Sequence, residues 1–290
     1  MEIISDIVKH KELIEKLILK NAYCAEHNYF CYLNTLEKAE KPYVFVFENN
    51  NAILAKYNMK LNIWSIFVGV LAPENERINV LLCFLNYLYS QEKVPRKVCV
   101  EFSIEFRKEV IHAFKKTNYR AVTPNYFSWW PVFELDKWDG EQMLGKDWKD
   151  MRYYWNKFFK EHKVEFVNAD KVDKQAMKDL VMRWEKERNS TDRAAYDYYL
   201  HAIDSGFEGY THNRIMIVDG KVAAITAGFK VPGKEYYYSS IGLYAREFDR
   251  IGEVANMDDL IFLKKQGYKY VDFGGSNDAL LEFKKKFKPT

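Results

Sequence analysis

Residues 214–231 read RIMIVDGKVAAITAGFKV, and their pattern decides the fold. Two β-rich runs flank Asp219-Gly220, a pair that favours a two-residue hairpin because both positions tolerate positive φ. A third β-rich run, EYYYSSIGLY, follows at 235–244. Beyond it, Glu253–Gln266 carries apolar residues at three- and four-residue spacing, which predicts a helix, and Gly267 stands where a helix C-terminal glycine belongs. YVDFG at 270–274 then reads as a short buried strand after a helix, the order a parallel crossover needs. NDALLEFKKKFKP closes the pattern as a short helix bearing F-K-K.

The first half of the chain runs in the same order. YVFVFENNNAILAKY at 43–57 holds two strands around Asn49-Asn50-Asn51, and NIWSIFVGVL begins a third at Asn62. Ile78–Ser90 has helical spacing, VCVEF at 98–102 reads as a strand, and IEFRKEVIHAFKKTNYR at 104–120 as a helix with its own F-K-K. Strand, hairpin, strand, strand, helix, strand, helix, written twice, predicts a duplicated α/β architecture of α+β type with mixed sheets. Asp139-Gly140 marks a loop between the halves, so the expected domains are 1–137 and 138–290. A helix is expected over Asp147–His162, with Trp148, Met151, Trp155, Phe158 and Phe159 as its apolar stripe. Another is expected over Lys174–Arg188.

The 290 residues are 48% hydrophobic and 17% aromatic, enough for packed cores and against disorder. Net charge is +3. Leu281–Thr290 holds four lysines and one glutamate, 4 − 1 = +3, so the rest of the chain is neutral and any anion affinity is local. Four cysteines form no C-x-x-C pair, which excludes a zinc ribbon and fits a reducing, cytoplasmic setting. Cys83 and Cys99 read as small buried hydrophobes. MEIISDIVKHKELIEKL at the start reads as an amphipathic helix, and no window is apolar enough for a transmembrane segment.

Three stretches resemble the tandem GNAT-like acyltransferases, in particular the catalytic domain of phosphatidylglycerol lysyltransferases and the Fem-type aminoacyl-tRNA-dependent transferases. LGKDWKDMRYYWNKFFKEHK is similar to a family segment, with Gly145, Lys146, Arg152, Asn156, Lys157 and Phe158 on matching positions. IVDGKVAAITAGF resembles the central hairpin. LLEFKKKFKP resembles the closing motif, with Leu280, Lys284, Phe287 and Pro289 in place, and the preceding DFGG resembles the Fem-type ending. Two departures stand out: Leu281 replaces an arginine, and the acyl-CoA pyrophosphate loop R/Q-x-x-G-x-G/A is reduced to Arg250-Ile251-Gly252-Glu253. The corresponding PENERIN of the first half has no glycine. Glycines there would let backbone N–H groups face a pyrophosphate at a helix N-terminus, so their loss speaks against coenzyme A.

The resemblance implies two GNAT-like domains, the first a degenerate copy and the second carrying the active cleft. It implies transfer of an acyl or aminoacyl group from an activated carrier to an amine or hydroxyl. Such transfer needs alignment, proton removal and oxyanion stabilisation. Consistently, there is no G-x-S-x-G and no cysteine with a histidine partner. The expected donor is aminoacyl-tRNA, with acyl-CoA as the alternative co-substrate and no permanently bound cofactor. The acceptor class spans small molecules, lipid headgroups and peptides. An acyl-CoA-dependent N-acyltransferase and a non-catalytic binding module on the same fold are the competing readings.

Asp272, at a strand end, is the candidate catalytic carboxylate; capping the next turn is its bland use. Lys284 suits a phosphate as a point charge. Arg152, Asn156 and Lys157, with Lys149 and Lys160, suit tRNA phosphates, or else form a mixed solvated face with Asp147, Asp150 and Glu161. Tyr238 and Ser239 lie on a strand whose neighbours alternate faces. Arg250 and Gly252 are what remains of the donor loop, and Gly274 and Gly275 allow close backbone approach.

Overall fold

The computed structural model describes residues 1–188 and 196–290. The chain divides into two compact units, Met1–Tyr126 and Phe127–Thr290. The division precedes the expected boundary at 138 because Val132–Glu134 pairs with a strand of the second sheet.

The first unit runs β1 (Glu2–Ile4), α1 (Lys11–Asn21), α2 (Tyr29–Asn34), β2 (Glu40–Val46), β3 (Ala52–Asn58), β4 (Ile63–Ile66), α3 (Arg77–Tyr89), β5 (Lys97–Cys99) and α4 (Ile104–Phe114). Its sheet has the order β1-β2-β3-β4-β5, with β4 and β5 parallel and the other neighbours antiparallel. Phe45, Ile53, Ala55 and Ile66 of the sheet pack on Leu81, Phe84 and Leu88 of α3. Two expectations change here. The opening residues are not all helix: Glu2–Ile4 pairs with Val44–Val46 as an edge strand before α1 begins. Cys83 is exposed, because Val80, Leu81, Phe84, Leu85 and Leu88 take the buried face of α3; Cys99 is half-buried.

The second unit runs β6 (Val132–Glu134), α5 (Lys149–Glu161), β7 (Val164–Asn168), α6 (Lys174–Glu187), α7 (Tyr196–Asp204), β8 (His212–Val218), β9 (Lys221–Lys230), β10 (Tyr236–Tyr244), α8 (Ile251–Lys265), β11 (Tyr270–Asp272) and α9 (Asp278–Lys285). Its sheet has the order β6-β11-β10-β9-β8-β7. Only β10 and β11 are parallel. Asp219 (φ 51°) and Gly220 (φ 80°) both adopt left-handed backbone in the β8–β9 turn, as that dipeptide demands. β9 is central, and seven of its ten residues in succession are buried, the mark of a strand covered on both faces. The duplication is therefore real at the level of element order: β2-β3-β4-α3-β5-α4 corresponds to β8-β9-β10-α8-β11-α9.

Two features of β10 prepare the site. Its register with β9 shifts between Ser239 and Ile241, a bulge that re-aims side chains on either side of it. Its pairing with β11 lasts for three residues, Tyr236–Tyr238 against Tyr270–Asp272, after which β11 stops and β10 continues. The strands therefore part at Tyr238 and Asp272. Beneath this point lies a core of Phe133, Trp138, Trp148, Met151, Tyr237, Met257, Leu260, Val271, Phe273 and Phe287.

Candidate active site at the parting of β10 and β11

β11 ends in Asp272, only 5% exposed. Its Oδ1 accepts a 2.7 Å hydrogen bond from the Gly274 N–H, the self-bonding turn that aspartate favours. Gly274 has φ 73°, and a Cβ there would stand 3.2 Å from the Tyr238 ring. Glycine is required by both the conformation and the ring. α9 starts at Asn277, whose side chain caps the Leu280 N–H, and brings Lys284 back under the turn. The Lys284 ammonium donates to the carbonyls of Phe273 and Gly274, the latter at 3.2 Å. Phe287, one turn on, is fully buried and holds α9 in the core, with its carbonyl accepting from the Trp138 indole at 2.8 Å. A fully buried phenylalanine is worth about 2–3 kcal/mol of such anchoring.

The two ionisable groups of this turn depart from their ordinary values in opposite directions. Burial pushes the Asp272 carboxyl up to about 6, against the Gly274 N–H, the Lys284 charge and the Tyr236 hydroxyl, which favour the ionised form. Burial pushes the Lys284 ammonium down to about 8, against the Asp272 charge. Carboxylate and ammonium coexist between those values, and Asp272 is mostly ionised at neutrality while still within about one pH unit of its midpoint. Groups tuned so are the kind that exchange protons during a reaction.

The other residues singled out from the sequence fall in three places. Gly275 follows the turn, beside the Ser128 and Trp130 side chains, and Tyr238 walls it from β10. Ser239 points to the opposite face, where its hydroxyl lies 3.4 Å from Asp259 Oδ2. Arg250 and Gly252 begin α8. Arg250 has φ 63°, stands 4.5 Å from the Tyr154 ring, and pairs with Glu253 at 3.2 Å. On α5, Arg152 donates to the carbonyls of Met143 and Gly145 and so ties down the turn that leads into its own helix. Asn156 and Lys157 are exposed, with Lys157 4.0 Å from Glu161.

A buried polar cluster under β9 and β10 escaped the sequence reading. Asp259 of α8 accepts from the Thr226 hydroxyl at 3.1 Å, and its carboxyl is pushed up to about 6 by burial. Arg214 pairs with Asp258 at 2.7 Å and lies between the Phe166 and Phe262 rings, 4.9 and 4.1 Å from their centres. Glu253, Asn256 and Asp259 are all buried, three residues apart along α8. That spacing, in an otherwise apolar helix, was the available signal. On the far face of β10, Ser240 meets the Tyr198 hydroxyl at 2.6 Å, which in turn meets that of Tyr210 at 2.8 Å. Among the described residues no group of three or more His, Cys, Asp or Glu is placed to hold a metal ion.

Residues 145–285 match the family model described as an acetyltransferase (GNAT) domain. They are a GNAT acetyltransferase domain. The domain these residues form is thus an acyltransferase domain of GNAT type. No curated protein matches the sequence. Among solved structures, a conserved protein of unknown function from Bacteroides thetaiotaomicron VPI-5482 aligns over all of this chain and 96% of its own, with a TM-score of 0.73 and 14% identity. L-PGS from Bacillus licheniformis aligns over 99% and 89%, with a TM-score of 0.67 and 15% identity. A tandem GNAT protein from the clavulanic acid biosynthesis pathway aligns over 99% and 94%, with a TM-score of 0.58 and 11% identity. At such identities the likeness is one of fold, and it spans both units: the chain has two GNAT-like halves. No described helix is long and apolar enough to cross a membrane.

Proposed function

We propose that the second unit transfers an aminoacyl group directly from aminoacyl-tRNA to an amine or hydroxyl acceptor, with Asp272 as proton acceptor. The observation that carries this reading is the Asp272 carboxyl, raised to about 6 where β10 and β11 part. The acceptor attacks the ester carbonyl of the donor and forms the new C–N or C–O bond. Its proton passes to Asp272, the ester C–O bond breaks, and the proton is returned to the departing ribose oxygen. Lys284 is a positioning residue: by holding the Phe273 and Gly274 carbonyls it keeps the Gly274 N–H on Asp272. Gly275, exposed just beyond the turn, leaves its backbone open to an approaching substrate, while the Tyr238 ring covers Gly274.

The donor's phosphates find their counter-charge on α5. Lys149, Asn156, Lys157 and Lys160 are exposed there, while Arg152 stiffens the turn before the helix. The resemblance to phosphatidylglycerol lysyltransferases, with the fold shared with L-PGS, supports an aminoacyl rather than an acetyl group. A second reading, acyl-CoA-dependent N-acylation, is favoured by the GNAT domain match itself. One assay separates them: the protein is incubated with charged tRNA and with a panel of acyl-CoAs, and loss of the acyl group is followed. Turnover of charged tRNA that falls in Asp272→Asn supports the proposal. Turnover of acyl-CoA alone replaces the donor, and inertness toward all donors ends the catalytic assignment of this cleft.

A further inference from the structure

The N-terminus of a helix presents N–H groups without acceptors and a partial positive charge, which is why anions settle there. In α8 that place is already filled from within. Glu253 is the third residue of the helix and is 6% exposed. Its Oε1 receives Arg250 Nη1 at 3.2 Å and, from the residue that ends α9, Lys286 Nζ at 3.0 Å. Its own backbone N–H and both cations hold the carboxyl below its ordinary value although burial opposes them. Arg250 and Lys286 are therefore both engaged by this carboxylate, and Arg250 lies 3.5 Å from Asp249 as well.

The backbone of that turn is covered as well. A Cβ at Gly252 would stand 3.3 Å from Phe283 Cζ and 3.6 Å from the Tyr244 ring. Glycine here admits a phenyl ring of α9 rather than an approaching phosphate. Acid and ring close the same turn from two directions, and both depend on α9 lying against α8. An acidic residue in a first helical turn is common on a solvated surface. A buried one bridged to a second helix is a fixed part of the packing.

We infer that Glu253 is a built-in anion that closes the α8 N-terminus to pyrophosphate, so that this domain selects activated donors carrying none at that point, such as the ribose ester of a charged tRNA. The inference rests on the donor reading above and extends it to a residue that excludes the competing donor class.

The test is a calorimetric titration of the full chain with inorganic pyrophosphate and with coenzyme A, comparing the native protein with Glu253→Gln. Glutamine keeps the shape and removes the charge, freeing Arg250, Lys286 and the helix N-terminus. The native protein is expected to bind neither probe below millimolar concentration. Glu253→Gln is expected to bind pyrophosphate at least tenfold more tightly than the native chain. Phe283→Ala, which uncovers Gly252 but leaves the acid, is expected to show no such gain. Micromolar binding of coenzyme A by the native protein overturns the inference whether or not the variant folds. So does a folded Glu253→Gln with unchanged pyrophosphate affinity, or a gain in Phe283→Ala equal to that in Glu253→Gln. The donor reading fails separately: charged tRNA left untouched, with the pyrophosphate gain present, removes that reading and leaves the closed helix end standing.

Discussion

Asp272→Asn should change how stability depends on pH, and the size of the change follows from the turn that holds the residue. The folded chain keeps a proton on Asp272 up to about pH 6, whereas an unconstrained aspartate releases it near 3.8. Across that interval the folded state binds more protons than the unfolded one, so the native protein loses stability as pH rises. About two pH units at about 1.4 kcal/mol each gives a loss on the order of 3 kcal/mol, complete above about pH 6. Asparagine has no proton to lose and can still accept from the Gly274 N–H. The variant minus the native stability should therefore climb by about 2–3 kcal/mol between pH 4 and pH 7. Asp259 titrates in the same range, but it is common to both proteins and cancels in the difference. The comparison stops at pH 7 because removing the carboxylate also removes the charge that holds Lys284 up to about 8. Urea denaturation at four pH values, followed by the fluorescence of Trp138 and Trp148 in the core beneath the turn, measures it. Two stability profiles that run parallel to within about 0.5 kcal/mol, inside the extrapolation error, would refute a buried, raised carboxyl.

The same pair of groups sets a bell-shaped rate profile with charged tRNA as donor: kcat/KM should rise through about pH 6 as Asp272 ionises and fall near 8 as Lys284 loses its proton. A flat profile from pH 5 to 9 removes Asp272 from catalysis. Gly228→Ala would place a Cβ 2.0 Å from the Tyr238 carbonyl and 2.7 Å from the Tyr237 ring, forcing β9 and β10 apart. Its cost should exceed about 3 kcal/mol, read as a fall in denaturation midpoint. Gly274→Ala should cost about 1–2 kcal/mol for the left-handed backbone, plus the crowding against Tyr238, and should lower kcat through the displaced Asp272. Thr226→Val removes a donor from the Asp259 carboxylate and should cost about 1–3 kcal/mol at pH 7.5. The hydroxyl serves the ionised form, so this cost should shrink at pH 4.5, where Asp259 is protonated.

Much of the fold was legible because its signals are local. Asp219-Gly220 fixes a turn by backbone chemistry alone, and the repeated order of β-rich and helical runs fixes the duplication. Glu2–Ile4 was not legible as a strand: three residues carry no period, and only pairing with Val44–Val46 makes them one. Nor was the first boundary, since Val132–Glu134 owes its place to β11, more than a hundred residues later. The site was half legible. Asp272 before two glycines announces a turn, but its raised carboxyl comes from burial by the packing of α9. The Asp258-Asp259 pair reads as surface charge, and only the stripe with Glu253 and Asn256 betrays its burial.

The lysine run at the end of the chain shows why charge counting stops short of function. Phe283 of α9 and Phe287 in the turn just after it both pack inward, their rings 5.3 Å apart, and Lys284 between them is drawn in. Its ammonium is taken by two carbonyls. Lys285 pairs with Glu282 at 2.6 Å, Lys286 with Glu253 at 3.0 Å, and Lys288 lies 4.1 Å from the centre of the Trp148 ring. Each cation is answered within the unit, so the local excess of +3 is not a free anion site. The cations left to meet a polyanion are those that no packing recruits, and α5 exposes them because its apolar stripe is Trp148, Met151, Trp155 and Phe158 while its lysines fall between. The physical division of labour follows: Lys284, beside buried rings, builds the turn that holds Asp272, and the exposed lysines of α5 are the ones the proposed donor reading calls on.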